Sequence, residues 1–129
     1  MCNFIPKLHM YSDPSNNWPK PYYAVIFTSK RTPADEGYGI MADKMEALAS
    51  TQEGFLGIES ARSEIGITVS YWNSLEAIKS WKNNADHMIA QLMGKKVWYE
   101  WYHLRISKVE REYFHYMDVP IDEINLQKG

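Results

Sequence analysis

The sequence predicts an α+β domain of the ferredoxin-like βαββαβ type, an antiparallel sheet with two helices on one face. Four stretches rich in β-branched and aromatic residues read as strands: Tyr22–Ser29, Phe55–Arg62, Gly66–Trp72 and Trp98–Arg111. Two stretches with apolar residues at helical spacing lie between them, so the chain runs strand, helix, strand, strand, helix, strand, the split βαβ order. With 129 residues, the chain is one domain that buries roughly two-thirds of its unfolded surface.

Residues 1–21 hold Pro6, Pro14, Pro19 and Pro21 among Ser, Asn and Asp, which supplies turns and breaks ladders, so an irregular extension precedes the domain at 22–113. Tyr22–Ser29 has few polar residues on either face, the pattern of a strand covered on both sides. Lys30–Gly37 is polar with Pro33 and reads as a loop. Tyr38–Gln52 follows as an amphipathic helix with Tyr38, Met41, Met45 and Leu48 on one stripe, ended by Glu53-Gly54. Phe55–Arg62 leads through Ser63-Glu64-Ile65 into Gly66–Trp72 as a hairpin, and Gly57 inside the first arm marks a bulge or a close approach.

Asn73-Ser74 turns the strand into the second helix. Ser74 is placed to accept from the first-turn N–H groups, Ala77 stands where a capping-box Glu would sit, and Glu76 complements the dipole. That helix runs to about Lys95 with Ile78, Trp81, Ala85, Met88 and Leu92 as its stripe; Asn83-Asn84 is a candidate break and Gly94 a candidate end. The last strand puts Tyr102, Leu104 and Ile106 on one face and Trp101, His103, Arg105 and Val109 on the other. In the tail at 114–129 and just before it, Tyr113, Phe114, Tyr116 and Met117 are apolar enough to pack on the domain or on a partner.

A net charge of −2, from 14 basic and 16 acidic residues, gives no basic footprint for nucleic acid or anionic lipid. No segment approaches the ~20 apolar residues of a membrane span, and no signal-peptide run opens the chain, so a cytoplasmic protein is expected. The single cysteine, Cys2, has no internal partner. Five Trp and nine Tyr are much flat apolar surface for so small a domain and suit an aromatic interface or an aromatic-lined pocket. The first and last strands carry large apolar residues on both faces, yet both helices go to one face. A second copy of the sheet is the simplest cover for the other, which predicts an isologous homodimer.

The stretches Tyr23–Phe27, Gly54–Ser60, Gly66–Trp72, Ile78 with Trp81-Lys82, His87 and Gln91, and Trp98-Tyr99 with Val109–Arg111 resemble the antibiotic biosynthesis monooxygenase (ABM) superfamily, and most of all its uncharacterised bacterial branch. The resemblance covers about residues 22 to 113 and implies a dimeric α+β barrel. It also implies oxidation of a small aromatic or quinone-like compound without metal or flavin, in a pocket between helices and sheet. Haem-degrading members are similar in having a Trp on the second helix and a haem-ligating His ten residues later. Here Trp81 is followed at that spacing by Gln91, and Tyr22–Ser29 lacks the Asn of that branch, so haem would depend on His87, one turn earlier.

Cofactor-free oxygenation needs a base, a donor for the resulting anion and a dry aromatic cavity. His87 is the candidate base, about 100° around the helix from Met88; its plainer role is a boundary histidine bonded to backbone. Arg105 is the candidate holder of the anion, or else an inter-subunit ion-pair partner of Glu59 or Glu100. Trp72, Trp81, Gln91 and Tyr102 are the expected walls, although Trp72 and Trp81 also suit a plain core. His9, His87, His103 and His115 lack the spacing of metal ligands, so no metal is expected. No GxSxG, P-loop, GxGxxG or CxxC is present, and the alternative to an oxygenase is a non-catalytic binder of a hydrophobic ligand.

Overall fold

A computed structural model of the chain describes residues 18–115 and Met117, apart from 94–97 and the side chains of 91–93. The elements follow the expected order: β1 (Tyr22–Arg31), α1 (Tyr38–Thr51), β2 (Phe55–Arg62), β3 (Ile65–Trp72), α2 (Leu75–Met93) and β4 (Tyr99–Val109). The strands form one antiparallel sheet in the order β2-β3-β1-β4, the ferredoxin-like α+β arrangement. β1 is longer than the sequence suggests. Lys30 and Arg31, assigned above to a loop, still pair with Trp101 and Tyr99 across a register shift.

The pairing sorts side chains by face. Tyr23, Val25, Phe27, Ser29 and Arg31 share one face with Trp72, Ser70, Thr68 and Gly66 of β3 and with Ile106, Leu104 and Tyr102 of β4. Both helices lie on this face. Val25, Ala49, Trp72 and Ile78 form the central cluster, flanked by Tyr23, Phe55, Ala77, Trp81 and Leu104. Trp72 is fully enclosed, set edge-to-face on Phe55 with centroids 5.4 Å apart, and its indole N–H donates to Ser70 Oγ at 2.9 Å. On β2 the register shifts between Phe55 and Gly57, the bulge that the glycine suggested.

Two glycines place the helices. Gly37, at φ 79°, sits immediately before α1 and lies against Trp98, whose indole N–H donates to the Glu36 carbonyl at 2.9 Å. Gly54, at φ 90°, lets the chain turn into β2 and accepts from the Asn73 N–H at 2.9 Å, fixing the start of α2 against the end of α1. Ser74 Oγ caps α2 by accepting from the Ala77 N–H at 3.1 Å. The expected break at Asn83-Asn84 does not occur. Asn84 Nδ2 donates instead to Gln52 Oε1 at the end of α1, 3.3 Å away, so its side chain does not compete for its own backbone. The expected end at Gly94 lies outside the described residues.

The opposite face carries Ala24, Ile26 and Thr28 with Tyr71, Val69 and Ile67, and with Ser107, Arg105 and His103. At one end Trp18 packs on Tyr22 and Tyr71, at centroid distances of 5.2 and 5.4 Å. Tyr22 donates to Glu112 at 2.8 Å and Tyr71 to Glu59 at 2.5 Å, while Lys20 pairs with Glu112 at 2.6 Å. Burial, with help from Glu112, pushes the Tyr22 hydroxyl up to about 12, and burial with Glu59 raises that of Tyr71. The other end is open, with Ile67 47% and Trp101 41% exposed. The tail aromatics Tyr113 and Phe114, expected to pack, are 85% and 64% exposed on the single chain; Tyr116 lies outside the described residues.

Candidate functional site

Between the helices and the inner face of the sheet lies a cavity of about 1240 Å³ that all four strands line, β2 with Ile58 and Arg62 and β3 with Thr68 and Ser70. β1 lends Val25, Phe27 and Arg31, β4 lends Tyr99, Tyr102 and Leu104, and α2 lends Trp81, Ala85 and Ile89. The sheet order produces this space. The helices contact mainly β2 and β3, and β4, at the sheet edge, keeps its inner face free, with Tyr102 60% and Ile106 49% exposed. An aromatic wall forms there: Phe27 meets Tyr99 edge-on at 5.4 Å and Tyr102 in a tilted stack at 5.4 Å.

The polar end of the cavity is built on Arg31 and Arg62. The Arg31 guanidinium lies over the Tyr38 ring, 3.3 Å from its centroid, and its Nη2 donates to the Ala34 carbonyl and to Asp35 at 2.9 and 2.8 Å. Arg62 pairs with Gly66 across the β2–β3 hairpin, and Gly66 pairs in turn with Ser29 of β1. The Arg62 side chain lies across the glycine, in the space a Cβ would take, and Nη2 donates to the fully buried Ser29 hydroxyl. Among the described residues Arg62 has no carboxylate partner. Tyr99 donates to the Tyr38 hydroxyl at 3.4 Å; burial and this bond hold its own hydroxyl well above the usual tyrosine range, while the charges of Arg62 and Arg31 act in the opposite sense.

Three buried side-chain nitrogens among the described residues have no hydrogen-bond partner: Arg31 Nε, Arg62 Nη1 and Trp81 Nε1. All three belong to cavity-lining residues and all are donors.

The structure brings together only part of the predicted site. Trp81 and Tyr102 line the cavity. Trp72 does not; it is sealed in the core behind Trp81, their rings 5.5 Å apart. His87 is also outside. Trp81, Ala85 and Ile89 face the cavity, and His87, about 200° around the helix from Ala85, is exposed with Nδ1 3.2 Å from the Asn83 carbonyl. Arg105 lies on the opposite side of the sheet, paired in register with Ile26, its Nη2 3.0 Å from Nδ1 of His103. The side chain of Gln91 lies outside the described residues. With His87 exposed and no histidine or cysteine lining the cavity, the described residues do not fit a histidine-ligated haem at this site.

Sequence reasoning missed Arg31, Arg62 and Ser29. The available signal was a glycine in mid-sheet, Gly66, facing an arginine across a short hairpin.

No family model matches the chain. Among solved structures, PA3566 from Pseudomonas aeruginosa superposes with a TM-score of 0.50 at 14% identity, covering 73% of this chain and 97% of that one. A "putative Antibiotic biosynthesis monooxygenase" from Chloroflexus aurantiacus J-10-fl gives a TM-score of 0.47 at 17% identity, over 67% of this chain and 92% of that one. At 14% identity the Pseudomonas likeness speaks for the fold alone. The uncharacterized protein YqjZ of Bacillus subtilis (strain 168) is 50% identical over 94 residues, which span 71% of this chain and 82% of that protein. With that identity over most of the Bacillus protein's length, the chain belongs to the family of YqjZ.

Proposed function

We propose that this protein is a monooxygenase of the ABM type, oxidising a small aromatic or quinone-like compound in the cavity between helices and sheet without metal or flavin. One observation carries the proposal: a 1240 Å³ cavity with aromatic walls and two arginines at its polar end. An electron-rich phenol that has lost its proton reduces oxygen itself. The balance is phenol plus O₂ giving quinone plus water, so the substrate supplies all the electrons and no external reductant enters. The protein's part is to hold the phenolate oxygen near Arg31 and Arg62, favour that ionised form, and keep water from the ring. His87 and Arg105, the residues proposed from sequence, take no part from their positions.

The partner expected from the sequence is retained as a proposal: two copies meet through the open faces of their sheets, where Ile67 and Trp101 are exposed. A cytoplasmic location is proposed on the same footing; among the described residues no helix is long and apolar enough to cross a membrane. Among the described residues the cavity is lined mostly by apolar and aromatic side chains, with no imidazole, and this lining favours a second function, a non-catalytic binder of a hydrophobic ligand. Oxygen uptake with a panel of naphthols separates the two. Quinone formed in step with oxygen consumed, above the rate with unfolded protein, is expected of the oxygenase. Binding of these compounds without oxygen uptake overturns it in favour of the binder.

A further inference from the structure

We infer that the ligand of this cavity carries an oxyanion, carboxylate or phenolate, directly on its aromatic body, and that Arg62, laid across Gly66 onto Ser29, is the group that receives it, with Arg31 as the second cation. This deepens the proposed function, which supplies a ligand in this cavity with an anionic oxygen at the arginine end, by adding which side chain receives it and what seats that side chain; turnover there is not needed.

Two independent observations converge. The first is the donor census. The three unsatisfied buried nitrogens of the described residues all lie on lining side chains, and none is an acceptor, so the missing partner supplies acceptors. Two of the three are on guanidinium groups, which no neutral acceptor compensates as well as an anionic oxygen does. The acidic side chains Asp43, Glu46, Glu64 and Asp86 also border the cavity; Asp43, Glu64 and Asp86 are exposed, Asp86 is paired to Lys82 at 2.8 Å, and Glu46, half-buried on α1, makes no hydrogen bond or ion pair with Arg62.

The second is the seat itself. A glycine within a strand weakens the strand, and Gly66 is not in a left-handed turn that would demand one. What it provides is room: a Cβ there would stand directly against the Arg62 guanidinium. The result is an arginine held flat on the sheet. Its Nη2 is fixed by Ser29, and its Nη1 is left with nothing to bond. An arginine placed for stability alone would be matched with a carboxylate or left in water.

The test compares 2-naphthoate with its neutral isostere 2-naphthamide by tryptophan fluorescence at neutral pH, and follows 4-nitrophenol by the colour of its phenolate. The native protein is expected to bind naphthoate at least about tenfold more tightly than the amide, as one charge-assisted hydrogen bond would give, or to draw 4-nitrophenol into its coloured anion at a pH where the free compound is colourless. Whichever arm responds names the oxyanion. Arg62→Gln abolishes the preference. Gly66→Ala also abolishes it, although the cation is still in the chain, because the new methyl displaces the guanidinium; an unchanged circular dichroism spectrum separates this from loss of the fold. Equal affinity for naphthoate and amide with no colour change overturns the inference and leaves the cavity as the binding site, as does a preference that survives both substitutions. Failure of every probe to bind overturns the cavity reading and the inference together.

Discussion

Replacing Gly54 with alanine tests how the site is positioned. Gly54 sits at φ 90°, and a Cβ built on it would lie 2.5 Å from Asn73 Oδ1 and 2.6 Å from the Ala77 Cβ. The backbone conformation alone costs an alanine about 1–2 kcal/mol. Moving the start of α2 to relieve the two contacts adds about 1–3 kcal/mol, the usual range for overpacking. A total loss of about 2–5 kcal/mol is therefore expected in equilibrium urea unfolding, as a lower midpoint at unchanged slope. The steric part can be isolated. Ala77→Gly by itself costs up to about 1 kcal/mol in helix propensity, but in the Gly54→Ala background it removes one of the clashing groups. The double variant should then lose less than the sum of the singles by at least about 0.5 kcal/mol. A single-variant loss below about 1 kcal/mol, or strict additivity, would refute this account of the corner. Because α2 carries Trp81 and Ala85 into the cavity, Gly54→Ala should also weaken binding of aromatic probes.

Ser74→Ala removes the oxygen that accepts from the Ala77 N–H and should cost about 1 kcal/mol in the same assay, with asparagine at this position restoring most of it. The pH dependence of stability at the alkaline end has a definite sign. Tyr22 titrates near 12 in the fold, against about 10 unfolded, so the unfolded chain gives up this proton first and stability is lost as pH rises from about 10 to 12. Tyr22→Phe should flatten that limb without abolishing it, because Tyr71 and Tyr99 are raised for the same chief cause, burial. If two copies meet through their open sheet faces, sedimentation of the native protein should give a dimer mass, and Ile67→Asp, at an exposed position of that face, a monomer; a native monomer would dispose of the sheet-to-sheet contact.

The fold was legible because its signals are local. The alternation of Gly66–Trp72, the Ser74 cap and the Tyr38–Met41–Met45 spacing each follow from a few neighbouring residues, and the split order of the elements then leaves few arrangements. The site was less legible because it depends on register between strands distant in sequence. Arg62 reaches Ser29 only because Gly66 lies between them in the sheet, a relation that no window along the chain contains. Arg31 was hidden by Pro33, which ends the strand two residues later than the polar composition suggested. His87 was misplaced by phase. A stripe passing through Met88 put it at the edge of the buried face, whereas the helix turns Trp81, Ala85 and Ile89 inward and leaves it on the outside.

Trp18 closes one end of the outer sheet face, over Tyr22 and Tyr71, and nothing among the described residues does the same at the Lys30 and Trp101 end. The face is therefore asymmetric along its strands, a sealed half and a vacant half. Any sheet laid on it is displaced toward the vacant half, and under two-fold symmetry the two tryptophans Trp18 would stand at the outer limits of the contact as stops. The overlap of two such subunits would be set by where that ring sits, so that trimming Trp18 to alanine would alter the alignment of an assembly without touching a residue at its centre.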